Sequence, residues 1–112
     1  MDINILEECF LSNKATLTKP SGGSFTSREI DIISCLINGG TVKSVYKVLG
    51  ISPHTVSTHI ANIRNDLNCR SQDEIIKIAQ SSDNFIPIRE RFIDLLLFSK
   101  FKETLENIVT LV

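Results

Sequence analysis

The residues best suited to chemistry lie between Ser52 and Arg64, where the chain reads Ser-Pro-His-Thr-Val-Ser-Thr-His-Ile-Ala-Asn-Ile-Arg. Val56, Ile60, Ile63 and Leu67 recur at intervals of four, three and four, the stripe of a helix that buries one face. With Ile60 at the middle of that face, His54, Thr58, Ala61, Asn62 and Asn65 point outward, and Ser57 and Arg64 lie on the flank. Hydroxyls and amides displayed along one helix are hydrogen-bonding chemistry, suited to base edges in a groove wide enough to admit that helix. They are not reactive chemistry. Glu29 or Asp31 with His59 comes with no nucleophile, metal-ligand spacing or Gly-rich phosphate loop, so an enzyme is rejected. No catalytic, metal or cofactor-binding residue is assigned. His59 lies beside the core stripe and is assigned to packing rather than to recognition.

Several elements must hold that helix in place. Thr26 with Glu29 forms a capping box, and Phe25 before it can staple onto Ile30. Ile30, Ile33, Leu36 and Ile37 continue as a helical stripe until Gly39-Gly40 stops it. A short helix from about Val42 to Leu49 follows, with Val45, Val48 and Leu49 inward and Lys43 and Lys47 outward; Gly50 suits the left-handed residue that ends it. Ser52 then caps the polar helix described above, with Pro53 at its first position and Asn68 as its stop. Ser71 caps a fourth helix that buries Ile75, Ile76 and Ala79. A pair of short helices joined by a Gly turn, the second started by proline, is the arrangement of a helix-turn-helix.

The runs Phe25-Thr-Ser-Arg-Glu-Ile, Leu49-Gly-Ile-Ser-Pro-His-Thr-Val-Ser-Thr-His-Ile-Ala-Asn-Ile-Arg and Leu67-Asn-Cys-Arg-Ser resemble the LuxR family of bacterial transcription factors over residues 25 to 80. The resemblance implies a four-helix domain whose third helix reads double-stranded DNA, commonly as a dimer on two half-sites. It also implies phosphate contact at Thr55, base-edge contact at Ser57 and Ala61, and a place near the backbone for Lys43. Ser52, His54, Thr58, Asn62, Arg64 and Asn65 complete the expected DNA-binding set. Family members often carry Lys or Arg at one or both of the positions held here by Ser57 and Ala61; serine and alanine exclude bidentate guanine recognition by these two residues. They also favour a small alanine where this chain has Tyr46, whose ring needs space and whose hydroxyl needs a partner.

The expected fold is therefore all-α: a four-helix LuxR-type domain at 25–81, preceded by a short helix and flexible linker at 1–24 and followed by an amphipathic helical extension at 82–112. Ile3, Leu6 and Phe10 suggest the first short helix, and Lys19-Pro20-Ser21-Gly22-Gly23-Ser24 the linker. In the extension, Phe85-Ile86-Pro87-Ile88 reads as a kink, and Phe98, Phe101, Leu105, Ile108 and Val112 as one helical seam. Such a tail predicts a homodimer; a helix-turn-helix protein-docking module that binds a protein partner on residues 85–112 is the alternative function. Residues 25–80 carry six basic side chains (Arg28, Lys43, Lys47, Arg64, Arg70, Lys77) against five acidic ones (Glu29, Asp31, Asp66, Asp73, Glu74), so a modest salt dependence is expected. Cys9, Cys35 and Cys69 lie far apart and indicate neither zinc nor a disulfide framework, and Cys35 reads as a buried hydrophobe. With Asp2, Glu7 and Glu8 where an export signal would be basic, and no apolar run of membrane-spanning length, the expected address is the bacterial cytoplasm, at the nucleoid when on DNA.

Overall fold

A computed structural model describes residues 15–111, with side chains through residue 109; the short helix expected before Ser12 lies outside the described residues. Five helices follow in order: α1 (Ser27–Gly39), α2 (Val42–Leu49), α3 (Pro53–Leu67), α4 (Gln72–Gln80) and α5 (Phe85–Leu111). The all-α expectation holds. The start signals read from the sequence act as expected. Glu29 N–H donates to Thr26 Oγ1 at 3.2 Å and Thr26 N–H to Glu29 Oε1 at 2.9 Å, which closes the capping box. Ser71 accepts from Glu74 N–H at 3.2 Å at the start of α4.

The core is built around α1. Every residue from Glu29 to Leu36 is buried, so this helix is enclosed on all sides rather than along one stripe. Val45, Val56, Ile60, Ile63, Leu67, Ile75 and Ala79 cover one side of it. The other side is covered by α5, through Ile88 and Leu95, both buried. An ion pair sits in that second contact: Arg91 Nε donates to Asp31 Oδ1 at 2.9 Å, with both side chains almost fully buried. Arg28 approaches the second oxygen of Asp31 at 3.6 Å from the partly exposed edge. The tail is thus a layer of the core.

Two segments differ from the sequence reading. The apolar stretch around Pro87 does not break the chain; Pro87 falls in the first turn of α5, where its missing N–H has no helical partner to lose. A single helix of 27 residues results. Residues 19–24, read as a flexible linker, form a closed turn. Lys19 N–H donates to the Gly23 carbonyl at 2.8 Å and Phe25 N–H to the Leu17 carbonyl at 3.0 Å. Gly22 and Gly23 take φ of 97° and 78°, a region that glycine enters without steric cost. Buried Leu17 and Phe25 fasten this turn to the core, and Asn84 Nδ2 donates to the Thr16 carbonyl at 3.1 Å.

Candidate nucleic-acid interface

Four inward side chains of α3, Val56, Ile60, Ile63 and Leu67, fix the helix against the core and so fix which residues face outward. Ser52, His54, Ser57, Thr58, Asn62 and Asn65 are exposed, whereas Thr55, Ala61 and Arg64 are half-buried. Lys43 stands exposed in the first turn of α2. The exposed strip of α3 thus presents hydroxyls, amides and one imidazole, and no carboxylate before Asp66. Its donors and acceptors are partly committed. Thr58 Oγ1 donates to the His54 carbonyl at 3.1 Å, which leaves the hydroxyl oxygen free to accept. Ser52 Oγ and Thr55 Oγ1 lie 2.8 Å apart, and Thr55 N–H donates to Ser52 Oγ at 3.1 Å. The two hydroxyls therefore form a preorganised pair at the helix start.

The turn before α3 depends on Gly50, which takes φ 67° and donates its N–H to the Tyr46 carbonyl at 2.9 Å. Tyr46 finds the space it needs, half-buried against the core. Behind α3 the chain is tied down as Asn68 takes the left-handed conformation and Cys69 N–H donates to the Arg64 carbonyl at 2.9 Å. Arg64 itself donates from Nη1 to the Arg70 carbonyl at 3.3 Å, while Arg70 N–H donates to Glu74 Oε2 at 2.8 Å. Asp66 pairs with Lys19, Nζ to Oδ2 at 3.3 Å. Lys19 places a cation beside the end of α3, and only the closed turn at 19–24 brings it there. No sequence spacing signals it.

The residues considered for catalysis are otherwise occupied: Glu29 by the cap and Asp31 by Arg91. His59 is half-buried. Burial, with a smaller push from Asp31, raises the Cys35 thiol to about 12 against a slight lowering by Arg28. Burial and Glu74 raise Cys69 as well. Neither thiol is primed for redox chemistry at neutral pH. Among the described residues, no three His, Cys, Asp or Glu side chains gather as metal ligands, and no helix is long and apolar enough to cross a membrane.

Comparison with known proteins places this geometry. The model for "Bacterial regulatory proteins, luxR family" matches residues 23–79, just over half of the chain. The transcriptional regulatory protein FixJ of Azorhizobium caulinodans is 35% identical over 54 residues, covering 48% of this chain and 26% of that protein. The Fimbriae Z protein of Salmonella typhimurium is 35% identical over 78 residues, covering 66% and 36%. The nitrate/nitrite response regulator protein NarP of Escherichia coli is 43% identical over 47 residues, covering 42% and 22%. The chain thus spans roughly a quarter to a third of the length of these relatives. No solved structure matches it significantly. From the family match, the capped and Gly-turned pair α2–α3 and the four-helix core around α1, the chain belongs to the luxR family of bacterial regulatory proteins.

Proposed function

We propose that this chain regulates transcription by binding double-stranded DNA in a sequence-dependent manner, with α3 in the major groove. The observation that carries the reading is the exposed, carboxylate-free strip of Ser57, Thr58, Asn62 and Asn65 on a helix whose opposite face is locked into the core. An Asn amide matches the donor and acceptor of adenine, and hydroxyls bond several bases. Half-buried Ala61 adds apolar contact for a thymine methyl. Ser52, Thr55, His54 and Arg64 line the start and flank of α3 and, with Lys43 on α2, face the phosphates. The bacterial cytoplasm, beside the nucleoid, is where such a protein acts. A homodimer supplies two copies of α3 for two half-sites. A second reading, docking of a protein partner on the tail, draws on the exposed apolar side chains of α5.

Selection from a random duplex pool, followed by anisotropy of the best sequence against a scrambled one at two salt concentrations, tests the proposal. A preference of about a thousandfold, typical of specific binders, is the expected result. Binding that ignores sequence and vanishes with modest salt overturns it. Thr58→Ala and Asn65→Ala should shift base preference at a cost of about 1–3 kcal/mol, and Lys43→Ala should weaken all sequences alike. Uniform loss from all three removes the assignment of base readers.

A further inference from the structure

The α5 helix is apolar on two opposite sides. Ile88 and Leu95, with Arg91, grip α1 on one side; on the other, Ile86, Ile93 and Leu97 are 49%, 58% and 54% exposed. At 100° per residue, positions 86, 90, 93, 97, 100 and 104 form one seam opposite the core-facing side, spaced four, three, four, three and four. Its apolar members are Ile86, Ile93 and Leu97 and its polar ones Glu90, Lys100 and Thr104, at the spacing by which two helices meet. A helix with two apolar faces needs two partners, and α1 supplies only one.

The charges in the seam indicate the other. Glu90 and Lys100 are both exposed, and they lie symmetrically about the midpoint between Ile93 and Leu97, five residues to either side. We propose that α5 packs antiparallel against α5 of a second copy of this chain, about a twofold axis level with that midpoint. This specifies the homodimer of the preceding reading without depending on DNA binding. Ile93 of one copy then meets Leu97 of the other, Glu90 meets Lys100, and Ile86 meets Thr104, each contact occurring twice. At 1.5 Å per residue Glu90 and the opposing Lys100 reach the same level, about 7.5 Å from the axis. Arg89 approaches the second copy's Glu103 along one edge.

A parallel pairing instead sets Glu90 against Glu90 and Lys100 against Lys100, so the charge pattern selects the antiparallel one. Lys100 now lies 3.8 Å from Glu103 in a well-exposed pair, an interaction weak enough to exchange. The pairing leaves α3 uncovered, because α5 touches α1, α2 and α4 but not α3.

Sedimentation equilibrium of the full chain tests the pairing, with Glu90→Lys, Lys100→Glu and an equimolar mixture of the two variants. Circular dichroism melting checks that each variant folds, as exposed positions permit. The unaltered chain should dimerise at about 10–100 µM, as befits a contact at the small end of interface sizes. Each variant alone places like charges opposite twice and should dimerise about tenfold more weakly or worse. The mixture restores both opposite-charge pairs and should recover the original association. An unaltered chain that stays monomeric overturns the proposal and leaves the seam to another partner. Variants that dimerise as well as the parent, or a mixture that recovers nothing, overturn the antiparallel register.

Discussion

Replacing Arg91 with methionine tests whether the tail is part of the core. The guanidinium donates to Asp31 at 2.9 Å, and the two side chains are only 6% and 4% exposed. Methionine keeps most of the volume but leaves a buried carboxylate with Arg28 standing 3.6 Å away on the partly exposed edge. Breaking a buried pair by removing one partner costs about 3–5 kcal/mol. Because Arg28 offsets some of that, we expect about 3 kcal/mol, which at roughly 4 °C per kcal/mol for a domain of this size lowers Tm by about 12 °C. Asp31→Leu strands the guanidinium and should cost a similar amount. The double variant Asp31→Leu/Arg91→Met buries no charge, and its loss should be far smaller than the sum, giving a coupling of at least about 2 kcal/mol. Urea unfolding followed by circular dichroism measures all three. Additive losses would refute the buried pair. Hydrogen exchange supplies a second readout, since Arg91→Met should speed exchange along α5 before that along α3.

Three further outcomes follow from local geometry. Ser34 is fully buried and its hydroxyl has no hydrogen-bond partner, so Ser34→Ala should be neutral or stabilising by about 1 kcal/mol in the same urea assay. A Cβ on Gly39 would stand 2.9 Å from Ser44 Cβ, so Gly39→Ala should force α1 and α2 apart and lower stability by about 1–3 kcal/mol in thermal melts. The folded-state thiol of Cys35 titrates near 12 rather than at its ordinary 9.0, so between those values the unfolded chain binds fewer protons than the folded one. Stability should therefore fall as pH rises through that window, and Cys35→Ala should flatten the fall relative to the parent. In native protein, thiol labelling at pH 8 should reach Cys69 well before Cys35.

Much of this fold could be read from short-range signals. Thr26 with Glu29, Gly40, Gly50, Ser52-Pro53, Asn68 and Ser71 each act on a backbone within four residues, and each marks a helix end in the structure. The outward face of α3 was legible for the same reason: helical period and four core residues fix it. What escaped notice depended on distant neighbours. Nothing near Asp31 in the sequence signals that Arg91, sixty residues later, will enclose it. Gly22 and Gly23 signal a turn, but nothing local says that Leu17 will be buried and will pull Lys19 to Asp66. Arg64 has several acidic neighbours in sequence yet bonds a main-chain carbonyl, because the left-handed Asn68 turns Arg70 back toward it. Of the seam expected from Phe98 to Val112, the part through Ile108 lies at the edge of α5's outer face and Val112 lies outside the described residues; Ile88, Phe92 and Leu95 make the core contact instead, since α1 is met by the first half of the helix.

The central position of α1 also shapes how the chain emerges from the ribosome. Among the described helices this one is made first, yet the residue that closes over Asp31 follows sixty positions later. At about 5–20 residues per second, roughly 3–12 s separate the two. Throughout that interval the side of α1 that carries Asp31 and Asn38 lacks the cover that the tail will supply. A factor that binds apolar helices during synthesis therefore has a defined target and a defined release: it holds α1 until Ile88 and Leu95 arrive and displace it.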